Sequence, residues 1–152
     1  MNEIQKSIDR LQELCSIIPN HLEEISEEEF THIASPGKWS KKQILGHLID
    51  SAANNHQRFV RIQYERDPVI YYDQNEWNRI QVYNKKNSEE LKLLWKLYNL
   101  HLLHIIKNIP SDKLERKGGL KSGNEYSLSW YIKDYVEHLE HHLQQIVANF
   151  GI

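Results

Sequence analysis

At 152 residues the chain has the length of one domain and can bury a continuous core without covalent staples, its 39% hydrophobic content being spread periodically despite a mean hydropathy of −0.68. Lys and Arg number 19 against 21 Asp and Glu, and the resulting net charge of −2 leaves no electrostatic footprint for nucleic acid. A lone cysteine, Cys15, excludes an intrachain disulfide and fits a reducing compartment.

The first helix is expected over roughly Glu3 to Ile18, where Ile4, Ile8, Leu11, Cys15 and Ile18 recur at three- and four-residue steps. Its charged, amphipathic start lacks the apolar run of a signal peptide, and no later stretch approaches about 18 consecutive apolar residues. A soluble, cytoplasmic protein with no membrane partner is expected. Pro19 should end or kink this helix, and Ser35, Pro36 and Gly37 form a turn. A second helix starts after Trp39, where Ser40 can cap free backbone N–H groups, and runs to about Glu65 with Ile44, Leu48, Ser51, Asn55, Phe59 and Ile62 inward. Residues 67–86 hold neither a helical nor a strand period, which predicts a long loop with at most one helical turn. The third helix opens at Ser88 and passes Leu91, Leu94, Leu97, Leu100, His101, His104 and Ile105 before Pro110. A glycine-bearing connection with a small hairpin near Tyr126 to Leu128 leads to a fourth helix, about Ser129 to Phe150, with Ile132, Tyr135, Leu139, Leu143, Ile146 and Phe150 inward. The expected fold is all-α, a four-helix bundle filling one domain over 1–152.

Nine histidines in so short a chain need a local explanation. On a helical wheel centred on Leu139, His142 and His138 fall roughly 60° and 100° to one side, on the lip of the buried stripe, while His141 points to solvent. Two imidazoles four residues apart on one helix stand close enough to share an ion. His47 lies about 100° from Leu48 on the second helix, on an edge shared with Ser51, Asn54 and Arg58. Three imidazoles on the flanks of two helices suit a divalent transition metal, zinc, nickel or copper, better than calcium or magnesium. His101 and His104 form a competing pair, but His101 looks core-facing and no third partner is evident. Trp39, Trp95 and Trp130 read as packing residues, the first anchoring the second helix.

The segments WSKKQILGHLIDSAANNHQRF (39–59), IYYDQNEW (70–77) and YVEHLEHHLQQI (135–146) together resemble the DinB-like superfamily, in its branch of metal-dependent hydrolases and bacillithiol transferases. The resemblance implies an up-down-down-up bundle, a homodimer, and one metal, zinc or nickel foremost, held by His47, His138 and His142. The family's Asp-Ser, Asn and Arg-Phe are matched by Asp50, Ser51, Asn54, Arg58 and Phe59. This chain departs from the branch at Gly46 and Tyr98, where a histidine is usual. Neither position is a ligand, so the departures bear on the substrate.

Three neutral ligands leave an ion its charge and an open position, the arrangement of catalytic sites. Water held there would drop in pKa from about 15.7 toward about 7, and a thiol would be deprotonated. The resemblance favours the thiol, hence a small-molecule thiol and an electrophile as partners of an S-transferase, with hydrolysis beside it. The alternative is a non-catalytic helical dimer that the metal only stabilises. Asp50, one turn past His47, is the candidate catalytic carboxylate, either orienting that ring or taking a proton. Arg58, about 16 Å along the seam, is out of metal range but suited to a substrate's carboxylate. Asn54 shares that edge, and Tyr72 and Trp77 from the long loop could wall the pocket.

Overall fold

The computed structural model describes residues 2–148 and Phe150. Its elements are α1 (Glu3–Glu23), α2 (Glu27–Thr31), α3 (Lys41–Arg61), α4 (Gln74–Gln81), α5 (Ser88–Lys107), β1 (Lys117–Gly119), β2 (Glu125–Ser127) and α6 (Leu128–Ile146). Each long helix begins on a side chain that satisfies a free N–H: Asn2 for α1, Ser40 for α3, Asn87 for α5 and Ser127 for α6. At α3 the cap is reciprocal, Ser40 Oγ accepting from the Gln43 amide at 3.0 Å while Gln43 Oε1 accepts from the Ser40 amide at 2.8 Å.

Side-chain pairs fix the helix directions. Lys92 near Glu23 and Lys107 near Gln12 make α1 and α5 antiparallel. Lys133 near Glu3 and Arg10 on Glu140 make α1 and α6 parallel. Lys42 donates to the Lys86 carbonyl just before α5, and His56 meets Tyr98 within it, so α3 and α5 are parallel. His47 beside His142 and Phe59 beside Tyr135 make α3 and α6 antiparallel. In chain order the four long helices therefore run up, down, down, up, as the resemblance implies. α1 and α3 both pack between α5 and α6, so α1 stands diagonally across the bundle from α3 and α5 from α6, while α3 and α5 are neighbours.

This topology explains the long connection. Because α3 and α5 are parallel neighbours, the chain must return the full length of α3 before α5 can start. The returning segment is more ordered than its sequence implies: it holds the eight-residue α4, capped by Asp73, and a 3₁₀ turn at Tyr83–Lys85. Its early part pairs with the β1–β2 hairpin, Gly119 donating to the Pro68 carbonyl at 2.8 Å and Ile70 donating to the Gly119 carbonyl at 3.1 Å. Arg116 closes the C-terminus of α3, donating to the carbonyls of Ile62 and Glu65 at 2.7 and 2.8 Å.

Several expectations need correction. Pro19 does not end α1, which continues to Glu23 because Ile18 and Leu22 bury fully and offset the one backbone bond that proline removes. α6 starts at Leu128 and stops at Ile146, although Phe150 still packs on the core. α5 buries Leu91, Trp95, Asn99, Leu102, Leu103 and Ile106, not the face of His101, which is exposed along with Leu94, Leu97 and Leu100. Trp95 fits the packing role expected of it, whereas Trp130 stands at the surface, stacked on Tyr126 at 3.9 Å between ring centres. At the centre, buried Asn99 donates to the Trp95 carbonyl and accepts from Tyr135 at 2.6 Å, so a polar pair sits in the core without an unmet bond.

Candidate metal centre

α3 and α6 bring His47, His138 and His142 together, each offering a ring nitrogen with all three such atoms within 4.8 Å of one another. His47 is fully buried, and the other two line the edge of the core. The rings of His47 and His142 are 4.9 Å apart, those of His47 and His138 5.4 Å, both nearly perpendicular. His138 Nε2 and His142 Nε2 face each other at 3.1 Å. His142 Nδ1 meets Gln145 Oε1 at 2.9 Å, and because an amide oxygen only accepts, Nδ1 carries the proton and Nε2 presents its lone pair inward.

His47 makes no hydrogen bond through either ring nitrogen among the described residues. A buried imidazole left so is costly unless something else fills the position. Burial first, then the neighbouring rings, pushes His47 and His138 from 6.5 down to about 4, which holds both as neutral donors. Nitrogen donors, neutral charge and convergence fit a transition metal. His141 is exposed, as its wheel position requires.

Asp50 is buried, and its side-chain hydrogen bonds go to the returning segment. Its Oδ1 accepts from Tyr83 OH at 2.5 Å and Gln81 Nε2 at 2.7 Å, while Oδ2 has no partner among the described residues. Burial raises its pKa, opposed by those two hydrogen bonds. Tyr83 reaches Asp50 because residue 46 is glycine: a Cβ there would sit 2.1 to 2.5 Å from three atoms of the Tyr83 ring. The position where the branch usually carries histidine is thus occupied by a tyrosine from 37 residues later, a contact no helical pattern encodes.

Two cavities flank the histidines. A polar one of about 160 Å³ touches His138 and is lined by Ser51, Asn55, Arg58, Tyr72 and Gln74, with Asp134 at its exposed side. A more open cleft of about 410 Å³ touches His142 and is lined by Trp39, Ile44, Gln74 and Gln145. Arg58 and Tyr72 thus share a cavity with one histidine. Asn54 does not reach it, donating instead to the Asp50 carbonyl at 2.9 Å, and Asn55 takes that place. Trp77 sits behind, its ring 5.3 Å from that of Tyr72. Trp39 lies against His47 at 5.2 Å, shielding one face of the ring. Gln145, three residues after His142, was open to the i, i+3 rule; Gln81, Tyr83 and Asp134 had no comparable signal.

A profile of the DinB superfamily matches residues 10–146. The chain belongs to the DinB superfamily. Among its relatives is an Oceanobacillus iheyensis protein provisionally named a metal-dependent hydrolase, 25% identical over 146 residues, which cover 95% of this chain and 84% of the relative. A Bacillus mycoides protein named in the same way is 24% identical, over 95% of this chain and 84% of its own. Among solved structures, YfiT from Bacillus subtilis, provisionally classed as a metal-dependent hydrolase with an unusual four-helix bundle topology, superposes with a TM-score of 0.85 at 21% identity, covering 94% of this chain and 83% of YfiT. The mycothiol-dependent maleylpyruvate isomerase shares the fold at a TM-score of 0.73 and 14% identity, this chain covering 61% of it. No helix among the described residues is long and apolar enough to cross a membrane.

Proposed function

We propose that this DinB-superfamily protein is a metal-dependent S-transferase, joining a small thiol to a small electrophile, with His47, His138 and His142 holding one zinc or nickel ion. The observation that carries the reading is the convergence of three imidazoles, one of them buried with both nitrogens unpartnered among the described residues. A divalent ion there would act as a Lewis acid and lower the pKa of a thiol or a water presented to it. One cavity at His138 and a second at His142 favour transfer over hydrolysis, since transfer needs room for two organic reactants. The thiol-dependent isomerase that shares this fold adds a weaker argument in the same direction.

In this scheme the thiol loses its S–H proton to Asp50, whose Oδ2 is unpartnered and whose pKa is raised by burial. Sulfur then forms a bond to the electrophilic carbon, and the bond from that carbon to chloride or epoxide oxygen breaks, the leaving group taking the electron pair. Tyr83 and Gln81 hold the Asp50 carboxylate in place through Oδ1. Trp39 lies against the His47 ring, and the Tyr72–Trp77 pair stands at the cavity beside His138.

The test is zinc- or nickel-loaded protein assayed with low-molecular-weight thiols and a chlorinated or epoxide electrophile, alongside ester hydrolysis without thiol. Thiol-dependent turnover is expected, falling at least about 100-fold in His142→Ala. Undiminished turnover in that variant removes the metal from the reaction. If no substrate turns over while chelation still lowers the melting temperature, the ion only fastens α3 to α6.

We propose further that the chain forms a homodimer, a reading supported by the exposed stripe of Leu93, Leu94, Leu97 and Leu100 on α5. Sedimentation should give twice the 18.1 kDa of the chain, and Leu97→Glu should shift it toward monomer. A wild-type protein that sediments as a monomer at all concentrations rejects the dimer.

A further inference from the structure

The polar cavity beside His138 contains a cation, Arg58, whose carboxylate neighbour in the lining, the exposed Asp134, attracts it without forming an ion pair. Arg58 is mostly buried and makes no ion pair among the described residues. Of the five guanidinium N–H groups, one donates to Asn55 Oδ1 at 3.2 Å and one to the Ile70 carbonyl at 2.9 Å, while buried Nε has no partner. The guanidinium lies over the Tyr131 ring, 5.0 Å from its centre, and both hydrogen bonds are to neutral oxygens. These contacts fix its orientation without neutralising it. Burying a charge in this way is unfavourable, and the cost is recovered when an anion arrives.

The rest of the lining selects the anion. Ser51, Tyr72 and Gln74 line the same space and bring hydroxyl and amide groups to it. Among the described residues Arg58 is the one cation in the lining, and the Asp134 carboxylate at the exposed side opposes a doubly charged phosphate more than a singly charged carboxylate. At about 160 Å³ the cavity admits a carboxylate with a short carbon chain. His138 lines the cavity as well, so a molecule held at Arg58 extends toward the histidine cluster.

We propose that this cavity is a carboxylate subsite, with Arg58 receiving the carboxylate of the thiol that reacts at the histidines. The inference rests on the proposed thiol chemistry, and the probes below separate the two. Cobalt(II)-loaded protein is titrated with 3-mercaptopropionate, with its neutral amide 3-mercaptopropionamide and with 2-mercaptoethanol. A charge-transfer band reports sulfur at the metal, and tryptophan fluorescence reports filling of the cavity through the Tyr72–Trp77 pair.

The carboxylate thiol is expected to bind about tenfold to a hundredfold more tightly than either neutral thiol, as for a charge-assisted hydrogen bond. Arg58→Gln should reduce that preference to about twofold while leaving the band of the neutral thiols intact. Equal affinity of wild-type protein for all three thiols, with the band present, overturns the subsite and leaves the thiol chemistry standing. This comparison needs no variant, so it holds even if Arg58→Gln fails to fold. If no thiol gives the band, the thiol reading fails and the subsite is judged on propionate against propionamide by fluorescence. Saturable quenching by propionate alone then upholds the carboxylate subsite, and its absence overturns it.

Discussion

Replacing His47 by alanine is expected to weaken zinc binding by two to three orders of magnitude, measured by competition with a chromophoric chelator. Structural zinc in four-ligand sites is worth about 10–16 kcal/mol, so one ligand carries on the order of 3 kcal/mol, which is a factor of 10² to 10³. His47 should be the most sensitive of the three, because it is fully buried and alone comes from α3; without it the ion no longer bridges two helices. His141→Ala is the internal control, an adjacent exposed histidine that should leave affinity unchanged. Acid should separate bound from adventitious metal. With His47 and His138 held near 4 by burial, protons do not compete for those nitrogens between pH 6.5 and 5, where free imidazoles already charge. Protonation of His47 and His138 is therefore expected to release the last of the zinc only as the pH falls toward 4. Equal affinity of His47→Ala and His141→Ala proteins would place the metal elsewhere.

The candidate centre was legible in the sequence because its three side chains follow helical period. His138 and His142 share a lip four residues apart, His47 takes the matching lip of α3, and the structure brings all three together. The long helices were legible for the same reason, since burial of a stripe and capping are local rules. Where two apolar stripes compete on one helix, the local rule fails. α5 carries Leu94, Leu97 and Leu100 on one side and Leu91, Trp95, Leu102 and Ile106 on the other, and only packing against α1 and α3 selects the second. The returning segment was least legible. α4 is eight residues long, too short for a period to stand out, and its order comes from tertiary bonds such as buried Asn78 donating to the Gln43 carbonyl at 2.9 Å. The same holds for the partners of Asp50, which lie 31 and 33 residues away.

Gly46 offers the sharpest test of that last arrangement. Gly46→Ala is expected to destabilise the protein by on the order of 3 kcal/mol, well beyond the effect of placing alanine in a helix, where it is ordinarily favourable by about 1 kcal/mol. The cause is steric: the new methyl would lie 2.1 to 2.5 Å from the Tyr83 ring, and a ring carbon cannot yield by rotating a flexible end. Tyr83 is itself buried and held by its hydroxyl on Asp50, so displacing it opens a gap in the core and removes one of the two donors on a buried carboxylate. A double-mutant cycle measured by urea denaturation isolates the contact. In a Tyr83→Ala background the clash partner is gone, and Gly46→Ala should become neutral or stabilising, a non-additivity of several kcal/mol. Additive effects would show that Tyr83 does not pack on residue 46. The kinetic counterpart is Tyr83→Phe, which keeps the ring over Gly46 and removes only the bond to Asp50. It should leave the fold and the zinc affinity intact while lowering thiol transfer about tenfold to a hundredfold, because in the proposed reaction the held carboxylate is what takes the proton.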